Sequence, residues 1–435
     1  MTRIIALAWI LGLAPAADAA DWPHWRGPSY NGSTTERNLP DNWSRTENVA
    51  WAADLPGEAA STPVIAGDRV FVSGVDADRD VLVALAFDRK SGKLLWKDDV
   101  AQGIRRDNRS NYAASSPVTD GRRAFFFYGS GDLAAYDLDG KRLWARNLQK
   151  DYGSFAFLWT FSSSPLLYEG KLYLQVLQRD VPVGDRGLKD RPNDSYLLAL
   201  EPETGKELWR VIRPSEAVEE SREAFTTPIP YEHNGRKEIL VVGGDALTGH
   251  DPQTGKELWR WADWNPRKIG HWRLVPSPVA GDGVVLVCAP KREPVYAIRA
   301  GLSGNLDEKA VAWTGSGRDL TADVPTPAFD DGDFFILSDI RKTLARVEAK
   351  TGKVKWSVPT PGRGKYEASP LVADGKVYAV NFDGQVSLFD AGSGKLLRTI
   401  AMDEPARGEV VRASIAAAGG QLFIRTTRKL YCIGK

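Results

Sequence analysis

Residues 368–400 read ASPLVADGKVYAVNFDGQVSLFDAGSGKLLRTI, and the plan of the whole chain is contained in them. Four short apolar segments, 369–373, 377–381, 385–390 and 395–400, are separated by polar turns. Two of these turns carry Asp374-Gly375 and Asp383-Gly384, and Asp-Gly accepts the positive φ of a tight hairpin. The segments are rich in β-branched and aromatic residues, which suit a pleated, half-buried surface. The unit reads as a four-stranded antiparallel meander that opens on Ser-Pro and closes on Gly-Lys.

Outward from this unit, the same opener recurs at Ser61-Thr62-Pro63, Ser115-Ser116-Pro117, Ser163-Ser164-Pro165, Thr226-Thr227-Pro228, Pro276-Ser277-Pro278 and Pro325-Thr326-Pro327. A degenerate copy stands at Ala413-Ser414-Ile415. Most units close on Gly-Lys-x-x-Trp, as at Gly92 to Trp96, Gly140 to Trp144, Gly205 to Trp209, Gly255 to Trp259 and Gly352 to Trp356. The fifth unit keeps only Trp313, and in the seventh Arg398 stands in place of the Trp. A repeat of roughly 40 to 60 residues built from strands is the period of a propeller blade rather than of a helical solenoid. No segment after residue 20 shows sustained helical periodicity. Past Ala413 the chain has length for about three strands, one short of a blade. The segment Asn48-Val49-Ala50-Trp51 supplies a closing Trp with no opener before it. Joining the two ends predicts an all-β, eight-bladed β-propeller of four-stranded antiparallel blades, its last blade closed by an N-terminal strand so that no sheet edge is left open there. Trp51, Trp96, Trp144, Trp209, Trp259, Trp313 and Trp356 are then structural residues wedged between neighbouring blades.

The pattern around Ala199 to Trp209 and Val347 to Trp356 resembles the tryptophan-docking repeat of the quinoprotein-like eight-bladed propellers. That superfamily includes the pyrroloquinoline-quinone (PQQ) dehydrogenases and outer-membrane assembly proteins of the BamB type. The opening Asp21-Trp22-Pro23-His24-Trp25-Arg26-Gly27-Pro28 is similar to the N-terminal stretch of many secreted bacterial proteins of this superfamily. The resemblance implies the fold across nearly the whole chain, but it does not choose an activity, because one fold hosts many.

Arg3, the apolar run 4–13 and Ala17-Asp18-Ala19 have the form of a secretory signal peptide cut after Ala19. The expected organisation is a signal peptide at 1–19, an N-terminal lead-in segment at 20–47 and one propeller domain at 48–435. No other apolar run approaches membrane-spanning length, which points to a periplasmic or secreted protein. Lys and Arg number 57 against 56 Asp and Glu, a balance that gives no reason to expect nucleic acid. Cys288 and Cys432 fall three blades apart, too far for a disulfide.

The connections between blades, and between second and third strands, share one face of a propeller. On this chain they are long at 101–112, 151–160, 178–194, 214–224, 262–274 and 403–411, so that face is the place to expect binding. Its candidate contact residues are Arg105, Arg106, Arg109, Tyr152, Phe157, Trp159, Trp264, Arg267, His271, Trp272 and Arg273. Guanidinium groups beside aromatic rings suit an envelope protein partner or an anionic, glycan-like ligand. His24, His233, His250 and His271 have no partner at ligand spacing, so no metal site is expected. The recurring acids Asp88, Asp137, Glu201, Asp251, Glu348 and Asp390 precede Gly turns and are read as turn caps. No catalytic constellation emerges, and the reading leans towards a monomeric, non-catalytic binding or scaffold propeller. A BamB-type assembly factor ranks second. A PQQ dehydrogenase, with PQQ and calcium as its cofactors, ranks last, because no two cysteines are adjacent, no Cys-x-x-Cys-His haem motif occurs and the chain is shorter than such enzymes usually are.

Overall fold

The computed structural model describes residues 21–315 and 320–434. The expected signal peptide at 1–19 lies outside the described residues. Eight sheets form eight blades, which span 64–102, 118–147, 166–212, 229–261, 279–315, 328–359, 371–401 and, for the last, Val49–Asp54 with 416–433. Each blade has four antiparallel strands. Blades 4 and 7 gain a short parallel fifth strand, Gly304–Leu306 and Ser33–Thr34 respectively. The ring closes as expected. Trp51 pairs with Cys432 and Ala52 with Tyr431, so the N-terminal strand becomes the outermost strand of the C-terminal blade. Cys288 and Cys432 are free and buried.

The sequence repeat has a direct packing cause. In six of the eight junctions a closing Trp lies over the Gly of the next blade's Gly-Lys turn: a Cβ added at Gly92, Gly140, Gly205, Gly255, Gly352 or Gly394 would come within 2.5–2.7 Å of Trp51, Trp96, Trp144, Trp209, Trp313 or Trp356 respectively. All six glycines have positive φ, so the turn needs glycine both for its backbone and for the ring above it. Five of the indoles also donate Nε1–H to a carbonyl of the following blade, for example Trp51 to Arg89 O at 2.7 Å and Trp313 to Ala349 O at 2.7 Å. The recurring acids cap these turns. Asp88 Oδ1 accepts from Ser91 N at 2.8 Å, and Asp251 Oδ1 from Thr254 N at 2.7 Å.

The two remaining junctions use other material. Trp259 donates to Glu238 of its own blade at 2.7 Å, while Gly304–Leu306 from blade 5 pairs alongside it. At the blade 7/8 junction, where Arg398 replaces Trp, the N-terminal segment supplies the missing ring. Trp43 is buried there with Nε1 3.3 Å from Met402 Sδ, and Pro40 O accepts from Tyr378 at 3.1 Å.

Candidate functional site

The innermost strands start at the openers, and the residue before each proline carries a hydroxyl that faces the axis. Thr62 N donates to Ser116 Oγ, Ser116 N to Ser164, Ser164 N to Thr227, Thr227 N to Ser277, Ser277 N to Thr326, Thr326 N to Ser369, Ser369 N to Ser414, and Ser414 N back to Thr62. These eight hydrogen bonds, 2.8–3.2 Å long, make a closed belt in which every blade is tied to the next. Backbone N–H groups beside a proline-interrupted strand start would otherwise be orphaned, at a cost of about 1–3 kcal/mol each.

Below this belt the N-terminal segment crosses the mouth of the central channel. Trp22 pairs with Ile65 of blade 1, Pro23 O accepts from Thr119 of blade 2, and Tyr30 donates to Leu167 O of blade 3. Asn31 O and Gly32 O accept from Phe329 and Val372 of blades 6 and 7. The channel is therefore plugged on the short-turn face and open on the long-loop face. What remains is a funnel with a cavity of about 270 Å³, floored by Trp25 and ringed by the eight opener hydroxyls.

The funnel wall carries two aromatic faces and charges of both signs. Arg109 lies over Trp159, 5.7 Å from the ring centroid. Arg273 is 3.4 Å from Glu220, whose Oε1 also accepts from Trp159 Nε1 at 2.8 Å. Arg412 pairs with Glu367 at 3.1 Å and covers Phe382 at 4.8 Å. Lys365 and Arg109 have no ion-pair partner among the described residues. Burial, with Asp323 and Glu367 nearby, pushes the Asp339 carboxyl up to about 6, although its Oδ1 accepts from Asp323 N at 2.9 Å.

Of the residues singled out in the sequence, Arg109, Trp159 and Arg273 line this funnel. Arg105 and Arg106 sit on the rim, with Arg105 donating to Leu158 O at 3.3 Å and Arg106 paired with Glu58 at 2.7 Å. Arg267 and His271 are exposed. Tyr152 turns to the blade 2/3 edge and donates to Glu207 at 2.5 Å. Phe157, Trp264 and Trp272 are buried inside the chain. Phe157 packs on Phe161 with centroids 4.8 Å apart, and Trp264 on Trp261 at 5.7 Å. Sequence reasoning missed Trp25, Lys365, Glu367, Arg412, Asp323, Asp339 and the hydroxyl belt. One signal for the belt was present. Where the opener loses its first Ser or its Pro, as at Pro276-Ser277-Pro278 and Ala413-Ser414-Ile415, the middle hydroxyl stays.

The Trp159 loop is held from behind by Glu223, which is fully buried. Its Oε1 accepts from Leu158 N at 3.0 Å and pairs with Arg179 Nε, while Oε2 has no partner. Burial pushes this carboxyl up from 4.5 to about 7. A raised folded value means that the folded state holds the proton more tightly than the unfolded chain does. The stability it confers is therefore complete below 4.5 and is lost as pH rises through about 7. Glu223→Gln is expected to raise the melting temperature at about pH 8 and to leave it unchanged below about pH 4.5, as read by calorimetry at both pH values. A lower melting temperature at the higher pH would show instead that Arg179 stabilises the ionised form.

The family model described as outer membrane protein assembly factor BamB matches residues 42–183, 158–312 and 304–433. The chain belongs to this family of PQQ-like repeat propellers. A polyvinylalcohol dehydrogenase from Pseudomonas sp is 25% identical over 216 residues, a match covering 46% of this chain and 30% of that enzyme. The chain thus aligns with under a third of that relative's length. Among solved structures, a europium-containing methanol dehydrogenase superposes with a TM-score of 0.67 at 12% identity, covering 93% of this chain and 89% of the other. BamB from Moraxella catarrhalis gives 0.56 at 12% identity, covering 88% and 98%. At these identities the superpositions show the eight-bladed fold that members of the family share.

The funnel's own donors do not match the needs of a quinone with a calcium ion. Among the described residues no three His, Cys, Asp or Glu side chains converge as a metal cradle. Glu367 is committed to Arg412, and Asp339 to the Asp323 backbone. As placed, these carboxylates do not form a calcium cradle. Among the described residues no helix is long and apolar enough to cross a membrane.

Proposed function

We propose that this chain is a periplasmic or secreted, non-catalytic binding propeller, and that its ligand enters the central funnel from the long-loop face. One observation carries this reading: the funnel is closed at one end by Trp25, walled by Trp159, and keeps two cations, Arg109 and Lys365, outside any ion pair among the described residues. Aromatic faces beside unpaired cations suit a small, flat or sugar-like molecule bearing carboxylates. The exposed rim of Arg106, Arg267 and His271 extends the same face outward, where an envelope protein could dock. The assembly-factor reading shares this face and gains its support from the family match.

Calorimetric titration with PQQ, a flat tricarboxylate, and with an oligogalacturonate tests the proposal. At least one is expected to bind, and Arg109→Ala and Lys365→Ala are each expected to weaken it about tenfold. Failure of both to bind, or binding indifferent to both substitutions, overturns the funnel as the ligand site. Calcium-dependent oxidation of an alcohol by the quinone complex would replace the binding reading with a dehydrogenase one.

A further inference from the structure

Where blades 8, 1 and 2 meet, the interior holds a guanidinium to which no described carboxylate is hydrogen-bonded. Arg425 ends the second strand of blade 8 and is 1% exposed. Its Nη1 donates to Ser61 Oγ at 2.5 Å, to Ser73 O at 2.6 Å and, at 3.4 Å, to Ser61 O. Its Nε and Nη2 are out of solvent and have no protein partner. The hydroxyls of Ser73 on blade 1 and Tyr128 on blade 2 are equally buried and equally unpartnered. These groups are neighbours: Arg425 Nη1 is hydrogen-bonded to the Ser73 backbone oxygen, and the Ser73 hydroxyl and the Arg425 charge both act on the Tyr128 phenol.

The carboxylates whose fields reach this point are engaged elsewhere. Glu58 Oε2 is 2.7 Å from Arg106 Nη2, and its Oε1 accepts from Val410 N at 3.1 Å. Asp132 accepts from Ser130 Oγ at 2.7 Å and Asn147 Nδ2 at 2.9 Å. What remains is an excess of donors. A guanidinium can only donate, and each hydroxyl has a hydrogen to give. A buried charge with open donors is among the costliest arrangements in a protein interior. Water would meet some of the donors but would leave the charge unbalanced. A small monovalent anion answers both demands.

We propose that the seam between blades 8, 1 and 2 is an internal binding site for a chloride-class anion, held by Arg425 Nε and Nη2 and by the hydroxyls of Ser73 and Tyr128. The position gives it a role. Arg425 belongs to the blade completed by both chain ends, while Ser61 and Ser73 belong to the blade it must meet. The anion therefore latches the joint at which the ring closes.

The test is thermal melting of the full chain at fixed ionic strength, with sodium gluconate exchanged for sodium chloride or bromide. A saturable rise of about 2–4 °C is expected with either halide. Arg425→Met is expected to abolish it. Should that variant fail to fold, Tyr128→Phe, which removes one donor, is expected to raise the half-saturating halide concentration several-fold. Bromide-soaked crystals of the unaltered chain give an independent reading, an anomalous peak within hydrogen-bond reach of Arg425 Nη2. Equal melting in gluconate and halide, or bromide found only on the surface with water at Arg425, overturns the proposal.

Discussion

Trp51→Ala is expected to lower the free energy of unfolding by about 3 to 5 kcal/mol, the range for removing a large buried aromatic. Three contacts are lost at once. The ring is 7% exposed, its Nε1 donates to Arg89 O at 2.7 Å, and its face lies over Gly92. The site is also the seam joined by both ends of the chain, so weakness here exposes strand edges that the ring otherwise hides. Gly92→Ala is the complementary change. A methyl there would stand 2.5 Å from the indole on a backbone with φ +68°, costing about 1–2 kcal/mol for the dihedral and more for the overlap. In the double variant the overlap vanishes while the dihedral cost remains, so the losses should fall short of additive by about 1 kcal/mol or more. Urea unfolding of the three variants measures this. A Trp51→Ala loss below about 1 kcal/mol, or strict additivity, would show that ring and glycine do not act as a unit.

The fold was legible because its signals are local and repeated. Asp-Gly turns, alternating apolar runs and Gly-Lys-x-x-Trp closers each state their structure within a few residues, and the closing of the last blade by the Trp51 strand followed from counting strands. The site was less legible because its parts meet only around the ring. The hydroxyls of Thr62 and Ser414 are neighbours in space and are separated by nearly the whole chain. Residues 20–47 read as a lead-in to the domain, yet Trp25 floors the funnel and Trp43 fills the junction that Arg398 leaves empty. Aromatic content was a poor guide to the surface. Phe157, Trp264 and Trp272 lie in long loops, but each loop folds back and buries its rings against the blades. The tryptophans that do meet the funnel, Trp25 and Trp159, are those with cations against them, Arg26 and Arg109 respectively.

Gly32→Ala is expected to release the plug. Arg26 is 2% exposed, and its guanidinium reaches across to Pro370 O at 3.1 Å and Pro327 O at 2.6 Å, the first-strand prolines of blades 7 and 6. Burial alone pushes its pKa down to about 9, so the group is held by geometry and by carbonyl dipoles rather than by a counter-charge. Gly32 sits against it with φ +80°, and an added Cβ would fall 1.8 Å from Nη2 and 2.3 Å from Cζ. The guanidinium cannot step aside without leaving two strand carbonyls unmet. The dihedral and the overlap together should cost about 3 to 5 kcal/mol. The loss should be local as well as global. Hydrogen exchange is expected to quicken together at Ile65, Phe329 and Val372, whose N–H groups donate to Trp22, Asn31 and Gly32, while amides bonded strand to strand inside the blades keep their protection. Arg26→Met in the same chain removes the obstacle and should restore most of the steric part, which separates overlap from backbone strain. Unchanged exchange at those three amides in Gly32→Ala would mean that the N-terminal segment does not depend on Arg26 for its place across the channel. In that case the floor under Trp25 would be held without Arg26, by the contacts of Trp22, Pro23 and Tyr30 with blades 1 to 3 and by the paired strand at Ser33–Thr34.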